Sequence, residues 1–300
     1  FVANDGQADS NTATVSITVA AAGSVTLESG RATVGSSWTT VPLQTGYSSP
    51  VVVCSVNYQA NSRPVCVRVR NVSATSFEAR LQNPSGAAVS AETVYYLIME
   101  EGRGTLPDGR AIEATKVESE GTNQNGDWSK DRMATYGYQQ SYTSPVVLGQ
   151  VMTANDPDWS VFWCSDGSRT NPPSANACYL GKHVAEDTDS TRLNETLGVI
   201  VIESGSGVID EVAYEAGCGG DHIRGIDNLP PFAYALSAFS SPPAVGLVAS
   251  AGMDGADGGW PVLYGDTALQ SSTLGLAIDE DQLADSERGH TSEQVGFLVF

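Results

Sequence analysis

Basic side chains are scarce in this chain. Its 300 residues include 15 lysines and arginines against 35 aspartates and glutamates, which gives a formal net charge of -20. A nucleic-acid partner would require basic groups that neutralise phosphates, so we exclude that class of partner. The acidic balance instead suggests solubility in salty surroundings, or affinity for cations.

Long apolar runs are also missing. No run approaches the roughly 20 residues that a membrane-spanning helix requires, so we predict no membrane span. Only 17% of the residues are charged, whereas Ser, Thr, Gly and Val are plentiful, as is typical of extracellular β-proteins. We therefore predict a secreted or cell-surface protein, and the resemblances described below suggest a bacterial one.

A helical apolar stripe is absent from every window longer than about ten residues. Short β-branched or aromatic runs lie between turn residues instead, which predicts about six strands in every ninety residues. In the segment 65–82, Val65, Val67 and Val69 face one way and the residues between them face the other. This alternation predicts a half-buried strand that a hairpin joins to a second strand at 77–82.

One strand-like phrase occurs three times. It reads AETVYYLIMEEG at 91–102, NETLGVIVIESG at 194–205 and SEQVGFLVF at 292–300. Each phrase follows an earlier marker, in which an aromatic residue precedes a short polar step, a proline and an apolar run. The markers lie at 46–53, 141–148 and 238–245. A recurrence about every hundred residues predicts three copies of one unit.

The predicted fold is therefore all-β. It consists of three tandem small antiparallel β-sandwich domains, preceded by an extended strand. The first copy covers 24–104, the second 105–206 and the third 207–300, and residues 1–23 hold the N-terminal strand and a linker.

The cysteines fall into a pattern that matches the repeat. Cys54 and Cys66 flank a short polar loop in the first copy, and Cys164 and Cys178 do so at the corresponding place in the second. We predict two disulfides, which persist outside the cytoplasm. Metal ligation is the alternative, but no CxxC pair or clustered histidines accompany these residues. Cys218 is left over and is predicted to be a buried, inert thiol; a free reactive thiol or an intermolecular bridge is the alternative.

Signatures of catalysis are lacking. No GxSxG frame surrounds a serine,. Glu92, Glu195 and Glu293 occupy the same place in the three closing phrases, but a pair of catalytic carboxylates would face each other at a set distance. We interpret them as structural residues that bond to a neighbouring strand or turn, and we predict no enzyme activity.

The first copy carries W-T-T-V at 38–41, V-R-V-R-N-V at 67–72, F-E-A-R-L-Q at 77–82 and E-T-V-Y-Y-L-I-M-E at 92–100. It resembles the H-type-lectin-like repeats of secreted bacterial proteins. The other two copies keep the marker and the closing phrase but not the hairpin between them. The resemblance implies a six-stranded antiparallel sandwich that, in lectin members, forms trimers and holds sugar at subunit boundaries. Three copies in one chain could imitate such a trimer.

The first 20 residues resemble the terminal strand of bacterial cadherin-like and immunoglobulin-like adhesin repeats, through the phrase ANDGQADSNTATVSITV at 3–19. A lone strand can neither bury its apolar face nor pair its backbone by itself. We therefore expect Thr14, Val15, Ile17 and Val19 to form an assembly strand that completes a sheet in a neighbouring molecule, as in donor-strand complementation. Docking on its own chain is the alternative.

Two further sets of residues are candidate ligand sites. Exposed aromatic rings stack on sugars, so Trp159 and Trp260, beside acidic and glycine-rich loops, are candidate carbohydrate platforms. The alternative is that they cover a loop or a domain junction. Asp254 and Asp257, in the loop GMDGADGG, could supply oxygen ligands to calcium, with a solvated turn as the alternative. We predict no other cofactor.

Together these features predict a non-catalytic extracellular structural subunit of a fibre or surface assembly, which self-associates through its N-terminal strand. The alternative is a carbohydrate-binding adhesin, or an accessory lectin-like module of a larger secreted protein, with glycans as partners.

Overall fold

A computed structural model describes residues 25–300, so the predicted assembly strand, with Thr14, Val15, Ile17 and Val19, lies outside the described residues. Within the described range nearly all regular structure is β-strand, which confirms the all-β prediction. The helical elements there are two 3₁₀ turns, Lys130–Arg132 and Ile226–Asn228. No helix in this range has the length and apolar character needed to cross a membrane.

The first copy folds into two three-stranded sheets, and every neighbouring pair of strands within them is antiparallel. The strand orders are β1-β6-β3 and β2-β5-β4. The predicted hairpin is present as β4 and β5, and the closing phrase is β6. The strands are β1 (Leu27–Val34), β2 (Thr39–Pro42), β3 (Pro50–Tyr58), β4 (Cys66–Arg70), β5 (Ser76–Gln82) and β6 (Glu92–Glu100).

The second copy repeats this plan. Its strand orders are β8-β13-β10 and β9-β12-β11, and its closing phrase is β13. The segment between the marker and the closing phrase differs in sequence from that of the first copy, yet it still forms a hairpin of β11 and β12. The strands are β8 (Ala111–Ser119), β9 (Ala134–Thr135), β10 (Pro145–Val151), β11 (Val161–Ser165), β12 (Tyr179–His183) and β13 (Glu195–Glu203).

The third copy repeats the plan again. Its strand orders are β15-β20-β17 and β16-β19-β18, with the closing phrase as β20. The three copies thus share one connectivity. The strands are β15 (Val212–Cys218), β16 (Phe232–Ala235), β17 (Gly246–Ser250), β18 (Trp260–Tyr264), β19 (Thr273–Asp279) and β20 (Val295–Val299).

Two additional strands lie at the junctions between copies. β7 (Gly102–Thr105) pairs with β8, and β14 (Gly205–Ile209) pairs with β15, so each forms a hairpin that leads into the next copy. Gly102 and Gly205 both have φ of +135°, where a side chain is strongly disfavoured,. This backbone requirement explains the glycine at the end of the first two closing phrases. The predicted boundaries after residues 104 and 206 fall inside these junction strands.

The three copies pack around a shared centre. β3, β10 and β17 contact one another, and buried apolar residues from all three copies form one continuous core. β18 of the third copy pairs in parallel with β3 of the first through Leu263 and Asn57, which merges the two sheets into one of six strands. A parallel bridge from Cys164 to Ala251 joins the second copy to the third in the corresponding way.

The alternation predicted a half-buried strand at 65–70, but residues on both of its faces are buried. Val65 and Val69 are buried, but so are Cys66 and Arg68, which face the other way. The outer face of β4 is covered because the second copy lies against it, and Val67 accepts a hydrogen bond from the Gln150 side chain of that copy. The prediction was wrong because the alternation in one strand carries no information about a neighbouring copy.

Candidate functional site

The repeated glutamates hold equivalent loops. Glu92 Oε1 accepts hydrogen bonds from the backbone amides of Gln59, Ala60 and Asn61, at 3.1, 2.7 and 3.0 Å. The other two accept from the amides of the matching loops, which are those of Asn155 and Asp156 for Glu195 and of Asp254 and Gly255 for Glu293. Their interpretation as structural residues is confirmed.

An arginine from each copy enters the same loop of another copy. Arg68 of the first copy donates to the carbonyls of Asp156 and Asp158 in the second, at 2.9 and 2.5 Å. Arg169 of the second and Arg288 of the third make the corresponding contacts. Arg169 donates to the carbonyls of Asp254 and Gly255, and Arg288 donates to the carbonyl of Ser62. These contacts run from the first copy to the second, to the third and back to the first, which closes a ring.

Trp159 and Trp260 lie inside the ring rather than on its surface. They are 2% and 5% exposed, and their rings pack together at 5.4 Å between centroids. Trp260 Nε1 donates to the carbonyl of Val65 at 3.0 Å, so this contact involves all three copies. A carbohydrate platform needs an exposed ring face, so that prediction is wrong for both residues and the junction alternative holds.

The structure does not support either predicted disulfide, because all five cysteines are free thiols. Cys54 lies on β3 and Cys66 on β4, which belong to opposite sheets of the first copy. Cys164 pairs with Leu180, so Cys178 is its diagonal neighbour across β11 and β12. Diagonal neighbours lie about 7–8 Å apart, whereas the Cβ atoms of a disulfide lie about 3.8 Å apart.

Cys218 is exposed at the end of β15, which contradicts the prediction of a buried thiol. It lines an open groove with His222 and Tyr234. His222 Nε2 lies 3.2 Å from the carbonyl of Ala233, and the Tyr234 hydroxyl donates to the carbonyl of Gly220.

A cluster of ionisable side chains lies in the third copy, where the loop after β17 meets the segment after β19. Its members are Asp257, Glu280 and His290, each of which offers a ligand atom within 4.8 Å of the others. His290 Nδ1 lies 2.5 Å from Glu280 Oε1, and His290 Nε2 lies 2.8 Å from Glu293 Oε1. The imidazole is therefore held between two carboxylates, one of which is the loop-capping glutamate of this copy.

Burial and charge act against each other in this cluster. Burial alone would lower the pKa of His290, but its hydrogen bonds to Glu280 and Glu293 raise that pKa to about 9. Burial raises the pKa of Glu280 to about 7, although His290 opposes the shift. Both ring nitrogens face carboxylates, and this arrangement favours the charged imidazole.

One of the two predicted calcium ligands joins this cluster. The structure brings Asp257 to the cluster, whereas Asp254 is not one of the residues whose ligand atoms converge. Asp254 contributes its backbone instead, since its amide donates to Glu293 and its carbonyl accepts from Arg169. A calcium site formed by Asp254 together with Asp257 therefore remains a prediction.

The sequence analysis missed Glu280 and His290 as site residues. The run DEDQLADSERGH at 279–290 looks like an acidic, solvated turn, yet Asp279, Glu280 and Asp281 are all buried. The signal available in the sequence was a lone histidine three residues before the repeated glutamate, a spacing that the other two copies lack.

Comparison with known proteins gives one informative match. The chain is 29% identical over 276 residues to Halomucin of Haloquadratum walsbyi, and the aligned part covers 87% of this chain but 3% of Halomucin. No protein-family model matches the chain, and no solved structure matches it significantly. The relative comes from an archaeon, so the similarity does not support the predicted bacterial origin.

Proposed function

We propose that the chain is a non-catalytic structural segment of an extracellular or cell-surface protein. The observation that carries the proposal is the closed ring of copies, in which each sends an arginine into a glutamate-capped loop of another. The polar groups that recur in all three copies thus hold loops together. Copies that are joined in this way suit a structural role better than a catalytic one.

The similarity to Halomucin supports this proposal. The name of that protein refers to mucins, and the aligned stretch covers 87% of this chain. A formal net charge of -20 also suits an extracellular surface in salty surroundings,. The chain spans 3% of the length of Halomucin, so the role of the whole relative is carried over here only as part of the proposal.

The finer proposal is that the N-terminal strand, with Val15 and Ile17, joins copies of the chain into a fibre or surface assembly. Size-exclusion chromatography with light scattering, together with negative-stain microscopy, tests it on the full chain and on a form lacking residues 1–22. Large oligomers that disappear on truncation would support strand donation. Monomers in both samples would contradict the fibre but leave the structural role intact.

A second candidate function is glycan binding, and one groove favours it. The groove lies between the first and third copies, where the partly exposed ring of Tyr264 stacks on the buried ring of Tyr58 with their centroids 5.9 Å apart. Gln59, Asn61 and Asp266 add polar groups to its lining. Glycan-array binding that is lost in Tyr264→Ala but kept in Tyr179→Ala would support this function. Absence of binding by the unmodified chain would oppose it.

A further inference from the structure

We propose that Asp257, Glu280 and His290 form a binding site for one divalent transition-metal ion, with zinc as the ion that best suits the donors. The inference is independent of the proposed structural role, because it depends only on the geometry of the third copy.

The donor set is the first argument. One imidazole nitrogen and two carboxylate oxygens lie within 4.8 Å of one another. Zinc binds such atoms at about 2.0–2.2 Å, so its ligands lie about 3–4 Å apart. The widest separations in the cluster must therefore shorten slightly, and His290 Nδ1 and Glu280 Oε1, which are 2.5 Å apart, must separate by about 1 Å,. Because Asp257 is only partly buried, the cluster reaches solvent, and a water molecule can complete a four-coordinate site,.

The second argument is the orientation of the imidazole. Glu293 accepts from His290 Nε2 and is itself fixed by the backbone amides of Asp254 and Gly255. A histidine that ligates a metal commonly donates its other ring N–H to a carboxylate in this way. The arrangement leaves Nδ1 facing Glu280, on the side of the proposed ion.

The third argument is the shape of the loop that carries Asp257. A Cβ atom added to Gly255 would overlap the ring of His290, so a glycine is needed there for the loop to cover the imidazole. The loop is also anchored on the second copy, where Trp128 Nε1 donates to the carbonyl of Ala256 at 2.7 Å. The backbone just before Asp257 is therefore held by contacts with both the second and the third copy.

A fourth observation is a second buried imidazole beside the cluster. His183 of the second copy is fully buried, and its Nε2 has no hydrogen-bond partner among the described residues. Its Nδ1 accepts from the backbone amide of Ala185 at 3.2 Å, so the ring proton lies on Nε2. Unpartnered buried nitrogens are rare in proteins. A water molecule bound in the cluster would supply the acceptor that this N–H requires.

The imidazole also decides which ion is expected. Calcium and magnesium take oxygen ligands, whereas imidazole suits zinc and other late transition metals. Binding replaces the proton on Nδ1, which leaves to solvent while the nitrogen lone pair forms the metal bond. No other covalent bond changes.

Zinc chloride titrated into the metal-stripped full chain tests the proposal, with isothermal calorimetry and thermal unfolding as readouts. We expect one zinc ion per chain and a higher melting temperature, since a ligand that binds only the folded state stabilises it. Asp257→Asn should remove most of this effect and Glu293→Gln should weaken binding about 10- to 100-fold. The matched control is Asp210→Asn, an exposed aspartate in the turn between β14 and β15 of the same copy.

His290→Gln should abolish binding, but this buried variant could fail to fold, so Asp257→Asn on the partly exposed loop carries the test. Zinc binding that is equal in Asp257→Asn and in Asp210→Asn would overturn the proposal. So would stabilisation by calcium chloride with none by zinc chloride, or no binding of either ion.

Discussion

At the scale of single residues, the recurring glutamate has the same role in three different surroundings. Glu92 accepts four hydrogen bonds from one loop, Glu195 lies 3.9 Å from Arg68 of another copy, and Glu293 also accepts from an imidazole. The shared role is to satisfy loop amides that would otherwise be buried without partners. The same glutamate position therefore contacts loop groups alone in the first copy, lies near a buried arginine in the second and binds an imidazole in the third.

Glu195→Gln should be strongly destabilising. Glu195 is fully buried, and its carboxylate accepts from the amides of Asn155 and Asp156 and from the Thr153 hydroxyl. An amide side chain leaves at least one of these donors unpaired and removes a charge from beside Arg68, at a cost of about 2–4 kcal/mol. Urea unfolding measures this loss, with the exposed Glu120→Gln as control. Equal stability of the two variants would contradict the capping role.

Glu186 should make stability depend on pH. Burial, and then the nearby Asp281, raises its pKa from 4.5 to about 7. The folded state therefore holds this proton more tightly than the unfolded state, so the stabilising contribution is complete below pH 4.5 and is lost as the pH rises through about 7,. Glu186→Gln should gain stability relative to the unmodified chain above pH 7 and gain little at pH 4.5. Urea unfolding at both pH values measures the difference; a gain independent of pH would contradict the shift.

At the scale of strands, the sequence predicted what depends on local pattern and missed what depends on neighbouring copies. The closing phrases form β6, β13 and β20, and the hairpin at 66–82 is present. The burial of Arg68 and of Trp159 could not be predicted from the local pattern, because each side chain is covered by residues of a copy other than its own. Likewise, His290 enters a site only because a distant glycine-rich loop folds over it.

Gly149→Ala should show how closely strands β10 and β11 pack. A Cβ atom there would overlap the ring of Phe162, whereas the equivalent positions, opposite the matching residues of the closing strands, hold Cys54 and Val248. Overpacking of this kind costs about 1–3 kcal/mol. Thermal unfolding measures it against Gly46→Ala, whose Cβ would meet open space at an exposed loop position. Similar melting temperatures for both variants would mean that Phe162 moves without cost.

At the scale of the whole molecule, closure of the ring distinguishes this chain from a linear array of independent domains. In a linear array, the first and third copies would contact only the second. Here β18 of the third copy pairs with β3 of the first, and Arg288 binds the Ser62 carbonyl of the first. Each copy therefore has two neighbours, and the cores merge into one. The three copies should therefore unfold together, because unfolding of one copy would expose apolar surface on the other two.

Differential scanning calorimetry of the full chain should accordingly show one main transition for the three copies, with closely similar calorimetric and van't Hoff enthalpies. Arg68→Ala removes a fully buried guanidinium that joins the first copy to the second, so it should cost about 3–5 kcal/mol,. This loss should move the whole transition to lower temperature without splitting it, and the exposed Arg224→Ala should leave it in place. Three separate transitions in the unmodified chain, or a variant that shifts one of several peaks, would mean that the copies unfold independently despite their shared core.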